Sequence, residues 1–526
     1  MRRLPISFTL EGEKKTYLSP TIILRGKTMR IHCILATLSA SVIILVNALF
    51  ASASDVVTPT VPQGESLCDD YAVTVDGLEA PVWSCRVSAQ PFNRIWPGYQ
   101  RSLDQTELSG FATWQTNEKS NRVVVTVKRD DVTSLDDVVV RPLSLGIVPE
   151  IDAQKREIAF DVPGAAPIVV EVNGFHRALH LLPTPIYEKP QDLNAPNLRY
   201  FGPGVHNVGR IDVKSGDEIF IDAGAVVYGG IHGKNVENVT ISGPGILDAA
   251  PFERGKLNGL FRFIDCKNIT IDGIIQRDPD VWATTCARCD GLTIRNTRLI
   301  GFWRYNADGI DLCNTKNAVV ENCFLRTYDD SLVVKGLGKS TLNAENLLFR
   351  NNVIWCDWGR AMEIGAETSA PEMKNIRFEN SDIIRNTHIA MDIQHGDRAK
   401  ISDVLFSDIR VEFDSKIPTP IYQNSDDQVY DPDANPDFCP DLGFVIVNKT
   451  FYSVDGENGT VDGVRFENIR VFGERKPRFV FLGLDPEHNV KNVTLENVLV
   501  GDQKFTAENG LLPVVRNEFV SDVEIK

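Results

Sequence analysis

From about residue 196 to the C-terminus one short pattern recurs. A turn-forming Asn, Asp or Gly precedes an apolar residue, a polar or branched residue, a second apolar residue and a small polar pair. It reads Asn238-Val-Thr-Ile-Ser-Gly, Asn268-Ile-Thr-Ile-Asp-Gly, Gly291-Leu-Thr-Ile-Arg-Asn, Asn317-Ala-Val-Val-Glu-Asn and Asn346-Leu-Leu-Phe-Arg-Asn. It continues as Asn375-Ile-Arg-Phe-Glu-Asn, Asp403-Val-Leu-Phe-Ser-Asp, Gly463-Val-Arg-Phe-Glu-Asn and Asn492-Val-Thr-Leu-Glu-Asn. Period-two alternation buries one face of a short strand. Successive starts lie 30, 23, 26, 29, 29, 28, 60 and 29 residues apart, which suits one coil of a parallel β-helix. A propeller blade would need roughly 40–45 residues. Asn tolerates the left-handed conformation and bonds its own backbone, so its return at one height predicts an Asn ladder.

Residues 54–195 carry strand patterns without that repeat, among them Tyr71-Ala-Val-Thr-Val and Arg122-Val-Val-Val-Thr-Val-Lys128. Ile168-Val-Val-Glu-Val runs into an Asn173-Gly174 turn. The expectation is all-β: an N-terminal β-sandwich-like domain over 54–195, then a right-handed parallel β-helix over 196–526. A solenoid also accommodates the length, because each coil needs to bury itself only against its neighbours. Residues 414–460, punctuated by five prolines, read as a long loop off one coil.

Acids outnumber bases 71 to 55 and no long basic run appears, which argues against nucleic acid or an anionic membrane as partner. Residues 1–53 read as an upstream extension and an export signal. The signal starts at Met29, with an apolar run Ile34–Phe50 and an Ala51-Ser-Ala53 cleavage site. This predicts a secreted or periplasmic protein, with no membrane association once the signal is removed. Cys68 and Cys85 are a candidate disulfide in such a compartment. Cys286 and Cys289 form a CxxC, but no second ligand pair completes a zinc site. They read better, with Cys266, as buried small residues. No metal or cofactor is expected.

The chemistry-bearing stretch is Trp303-Arg-Tyr-Asn-Ala-Asp-Gly-Ile-Asp311, followed by Thr327-Tyr-Asp-Asp-Ser331. Asp330 follows Asp308 by 22 residues, close to one coil, so a solenoid stacks them on neighbouring rungs. Asp329 lies beside Asp330 and, on a strand, would point to the other side. Cutting a glycosidic bond by inversion needs one protonated carboxyl for the leaving oxygen and carboxylate to activate water. Crowded carboxyls raise one another's pKa. On spacing alone, an Asp-Gly turn, a solvated acidic rung or a Ca²⁺ site stay open beside catalysis.

Asn306-Ala-Asp308-Gly, with Asp329-Asp330 at 21 and 22 residues beyond Asp308, resembles the polygalacturonase superfamily of β-helix glycoside hydrolases. Family 28 and the related dextranase and isopullulanase family 49 are its best-known members. Residues 196–526 carry the resemblance. It implies an inverting O-glycosyl hydrolase in which Asp329 is the general acid and Asp308 and Asp330 activate water. Two departures bear on substrate. Gly359-Arg360-Ala361 replaces the Gly-His-Gly of polygalacturonases. Asp392 and Gln394 stand where their Arg-x-Lys grips a uronate carboxylate. Asp392 would repel a uronate, so ordinary homogalacturonan is not the expected substrate. An N-terminal β-domain is more like family 49.

Around the carboxylates, Trp282 and Trp303 are candidate sugar-stacking platforms; packing against the N-terminal domain is the alternative for both. Asn306, Lys335, Arg360, Glu363, Asp392, Gln394 and His395 are candidate substrate-binding residues. His395 is equally suited to capping a strand end, and His176 and His180 read as ordinary polar positions. The leading reading is an enzyme acting on a polysaccharide or oligosaccharide. A β-helix polysaccharide lyase, dependent on Ca²⁺ and using Lys335 as base, and a non-catalytic carbohydrate-binding solenoid are the competitors. Oligomeric state, sugar and linkage leave no mark in the sequence.

Overall fold

The computed structural model describes residues 56–94 and 101–526, and Asp55–Lys526 is one compact unit. The expected export signal lies outside the described residues. Among the described residues no helix is long and apolar enough to cross a membrane.

The repeat becomes a right-handed parallel β-helix of three strands per coil. The strands that begin at the repeated Asn pair in the register the sequence pattern sets. Val239, Ile269, Leu292, Ala318, Leu347, Ile376, Val404, Val464 and Val493 stack one above the next. All are buried. Farther along the same strands Phe349, Phe378, Phe406 and Phe466 stack at 4.7–5.1 Å between ring centroids. The alternating face thus lines up as a continuous apolar column.

The Asn ladder forms. Asn268 donates to Asn238 at 3.0 Å, Asn346 to Asn317 at 2.9 Å and Asn375 to Asn346 at 2.9 Å. All five are left-handed, with φ between 51° and 58°. Asn346→Ala removes two side-chain bonds and forces Ala into that region, so we expect a loss of about 1–2 kcal/mol. Asn346→Gly, which keeps the φ, should lose less. Denaturant midpoints for the two variants check this; equal losses would assign the whole effect to the ladder.

The described residues before the helix form two five-stranded sheets, Tyr71–Val75 with its neighbours and Val82–Ser88 with its neighbours. Their facing sides share one core, including Val73, Val125 and Phe160 from one sheet and Ala112, Val170 and Leu181 from the other. The second sheet's outer side (Trp83, Phe111, Val169) packs on the helix through Val226, Ile275, Phe324 and Trp355. Trp355 and Trp358 are therefore packing residues: Trp355 at this seam, Trp358 stacked on Tyr328.

Two expectations change. Residues 414–460 are not one loop, because Asp441–Val447 is a helix strand paired with Ile389–His395 and Phe479–Leu482. The interval of 60 is one coil with two excursions. The first reaches the N-terminal region, where Ile421–Tyr422 and Phe92–Asn93 form a separate two-stranded parallel sheet; the second, 448–459, projects beyond the end of Asp441–Val447. Cys68 and Cys85 are free thiols, with Cys68 packed over Gly110. Cys266, Cys286 and Cys289 are buried in the helix core as expected.

Candidate active site

Three consecutive turns stack on one wall of the helix. Ala307–Gly309 precedes the strand Ile310–Cys313, Tyr328–Ser331 precedes Leu332–Gly336, and Asp357–Gly359 precedes Arg360–Thr368. The turns continue the backbone ladder between coils. Asp329 N donates to Ala307 O at 3.2 Å, Gly309 N to Asp330 O at 2.8 Å and Gly359 N to Tyr328 O at 3.2 Å. This ladder stacks Asp308 against Asp329 and Asp330 on neighbouring coils. Asp329 and Asp330 lie in a bend rather than on a strand, so it is the bend, not strand alternation, that sends them different ways.

The environments of the adjacent pair diverge. Asn306 Nδ2 approaches Asp329 Oδ2 at 3.5 Å. Burial, then the Asp330 charge, pushes the Asp329 carboxyl up to about 7. Asp330 is equally buried, but cations surround it. Arg360 N donates to its Oδ1 at 2.9 Å, the Arg360 guanidinium lies 3.5 Å away and Lys335 Nζ 3.9 Å. Burial raises the Asp330 pKa, yet Arg360 and Lys335 outweigh it and hold the group below its ordinary value. Burial and the neighbouring Asp311, Asp329 and Asp330 charges hold Asp308 well above its ordinary value. Its Oδ1 accepts no hydrogen bond from the protein. Such splitting of like groups is how one site holds acid and base together.

Behind the triad runs an outward-facing column, Asp311, Val333, Glu363 and Asp392, in register across four coils. Ile310 and Leu312, on either side of Asp311, face the core. Asp311, Glu363 and Asp392 are buried, and each has at least one carboxyl oxygen without a hydrogen-bond partner. Burial raises all three pKa values, Asp392 to about 7. Arg360 bridges the column to the triad, lying 3.5 Å from Asp392 and 3.3 Å from Gln394 Oε1. Lys335 is 3.3 Å from Glu367 and donates to Gly365 O at 3.0 Å.

Most of the residues singled out in the sequence gather here: Asn306, Asp308, Asp329, Asp330, Lys335, Arg360, Glu363, Asp392 and Gln394. Trp282 is half-buried, with Lys335 Nζ 5.3 Å from its ring centroid. Trp303 is oriented by its Nε1 bond to Asp278 Oδ1 at 2.9 Å. His395 departs from expectation as a binding residue. It is fully buried, bonds Thr368 Oγ1 at 2.7 Å, and burial drives its pKa down to about 4. It secures a strand end.

Sequence reasoning passed over Asp311, although the Ile-Asp-Leu alternation was a usable signal. It also missed Tyr305 and Tyr452. Burial and the Asp329 charge raise the pKa of both phenols. Tyr452 belongs to the 448–459 excursion, which Asp397 pins by accepting from Val454 N at 2.7 Å and Asp455 N at 2.9 Å. Nothing local in the sequence links it to residues more than 100 positions away.

Residues 222–468 match the family model described as Glycosyl hydrolases family 28. That stretch contains every residue of the cluster. No curated protein sequence matches the chain. Among solved structures, Dex49A from Penicillium minioluteum is similar with 14% identity and a TM-score of 0.64, covering 89% of this chain and 96% of that one. A hyperthermoactive exopolygalacturonase from Thermotoga maritima has 18% identity and a TM-score of 0.48, covering 62% and 84%.

Proposed function

From the premise that this chain is a polysaccharide-degrading glycosidase with a family 28 region at residues 222–468, we propose that it is an exported enzyme that inverts the anomeric centre it attacks. Residues 196–526 form its catalytic domain, braced by the sandwich-like domain of 54–195. Asp329 passes its proton to the glycosidic oxygen as the bond from that oxygen to the anomeric carbon breaks. Water adds to the same carbon from the opposite face and gives up a proton to Asp330, with Asp308 positioning that water. One bond to oxygen is lost and one gained; afterwards Asp330 gives its proton to solvent and Asp329 takes one back, which restores the starting state.

The observation that carries this reading is the stacking of three turns, which gathers the carboxyls while only Asp330 has cations against it. Asn306, Arg360, Gln394, Trp282 and Trp303 are the proposed substrate contacts. Asp392 acts from beneath by fixing Arg360, and Glu363 by meeting Asp330. The two cations of the site, Arg360 and Lys335, are already engaged by Asp330, Asp392 and Glu367, so neither is left to grip a uronate carboxylate. A neutral sugar therefore suits the cleaved position better than a uronate.

The pH profile follows from the same pair. The acid must be protonated, so turnover should fall as pH rises through about 7. The base must be ionised, so turnover should persist well below neutrality and fail only below the ordinary Asp range. A profile rising from pH 6 to pH 8 would contradict the assignment. The deciding experiment is a panel of plant, algal and microbial polysaccharides, with NMR of the first-formed anomer. We expect cleavage of a neutral glycan in preference to polygalacturonate, with inversion. Retention, or unsaturated uronide products, would reject the proposal.

A further inference from the structure

A concave site lies beside the turn that carries Asn306. It is a cavity of about 370 Å³ lined by Arg101, Phe252, Glu253, Arg254, Trp303, Arg304 and Tyr305. Its volume lies in the range of small-ligand sites, where aromatic walls and a few fixed polar groups orient the guest. Three of its walls are aromatic, and two of these are held in place. Trp303 is fixed by Asp278, and the Arg254 guanidinium lies 5.3 Å from the Tyr305 ring centroid.

The polar groups are held as well. Arg101 donates to Trp303 O at 2.7 Å, and Arg304 reaches the carbonyls of Asp278, Pro279 and Ala250 at 3.2–3.4 Å. Arg254 is the link to the chemistry. Its Nε donates to Tyr305 O at 3.1 Å and its Nη2 to Asn306 Oδ1 at 2.8 Å. The amide of that same Asn306 faces Asp329 at 3.5 Å. A continuous path of side chains thus joins the cavity to the carboxyl raised to about 7.

We propose that this cavity is a sugar subsite, holding a pyranose unit of the glycan that flanks the bond being cut. The aromatic walls take the apolar ring face, and the guanidinium groups donate to ring substituent oxygens, which can be hydroxyl or carboxylate. Arg254 is a positioning residue, because it holds Asn306 against the acid while lining the subsite. Filling the subsite therefore aids the chemical step as well as binding. This rests on the glycosidase reading of the triad.

The test uses the full-length enzyme and oligosaccharides of increasing length, prepared from whichever glycan the panel shows to be cut. In the wild type, kcat/KM should rise at least tenfold on adding the one unit that reaches the cavity, with part of the rise in kcat. In Phe252→Ala and Arg254→Gln that step should shrink to under threefold. Arg254→Lys should restore the KM part better than the kcat part. Parallel oligomers ending in a neutral or a uronic unit tell hydroxyl from carboxylate recognition: a larger step for the uronic series identifies carboxylate, and a larger or equal step for the neutral series identifies hydroxyl.

A wild type with no length step, or variants that lose the same factor at every length, would overturn the subsite. Unfolding midpoints within a few degrees of wild type exclude simple misfolding, and Phe252→Leu supplies a milder variant should Phe252→Ala fail to fold. Failure to cut any glycan would instead count against the glycosidase centre, so the two readings fail separately.

Discussion

Asp329→Asn is expected to lower kcat by about 10²–10⁴-fold, the span a positioned general acid supplies, while substrate affinity changes little. The amide keeps the size and can still meet Asn306, but it has no proton to give to a leaving oxygen. Burial and the Asp330 charge are what keep this carboxyl protonated near neutrality, and Asn mimics that neutral form. Binding, measured by isothermal titration with an uncleaved oligosaccharide, should therefore survive. Loss should be smaller for substrates with good leaving groups, such as aryl glycosides, because they need less protonation. Unchanged turnover in Asp329→Asn would move the acid to Asp308. Equal losses on natural and activated substrates would point to a role in shaping the site rather than in proton transfer.

How far this site could be read from the chain depends on what each residue signals locally. Asn306, Asp308, Asp329 and Asp330 were legible because their 22-residue offset is close to the 23–30 residues of the repeat, and a solenoid turns such spacing into spatial stacking. Asp392 and Gln394 were legible in the same way, as the same wall two coils on. Their consequence was read incompletely. Asp392 is buried beneath Arg360, so it acts by occupying that guanidinium rather than by meeting a uronate directly. His395 misled because a His among polar residues looks alike whether it faces solvent or secures a buried strand end. Arg254 and Tyr452 left no signal, since they arrive on turns and excursions whose direction no repeat sets. The 414–460 segment was misjudged for a different reason: its prolines and acids drew the reading to a loop, although the apolar run Phe444-Val-Ile-Val447 within Asp441–Val447 was a usable strand signal.

The seam between the sandwich and the helix carries the second large effect. Glu171 and Arg141 belong to the N-terminal sheets and Arg385, Glu412 and Asp414 to the helix. Arg385 pairs with Glu171 through two bonds at 2.6 and 2.7 Å, and Arg141 lies 3.1 Å from Glu171 while also pairing with Glu412 and Asp414. Burial alone would raise the Glu171 pKa, but Arg385 and Arg141 overcome it and bring the group down to about 2. Glu171→Gln removes one of the two charges, with Asp414, that both guanidinium groups share and leaves them buried with less compensation. The expected cost is about 3 kcal/mol or more, seen as a lower urea midpoint. A folded pKa below the unfolded value gives stability that is present above about pH 4.5 and lost as pH falls toward 2. The gap between wild type and Glu171→Gln should therefore narrow in that window. A gap that stays constant from pH 6 to pH 3 would mean that packing, not charge, holds this seam. Because the seam residue Trp355 stands two positions before Asp357, which opens the turn stacked on Tyr328–Ser331, loosening it should also lower the temperature at which activity is lost.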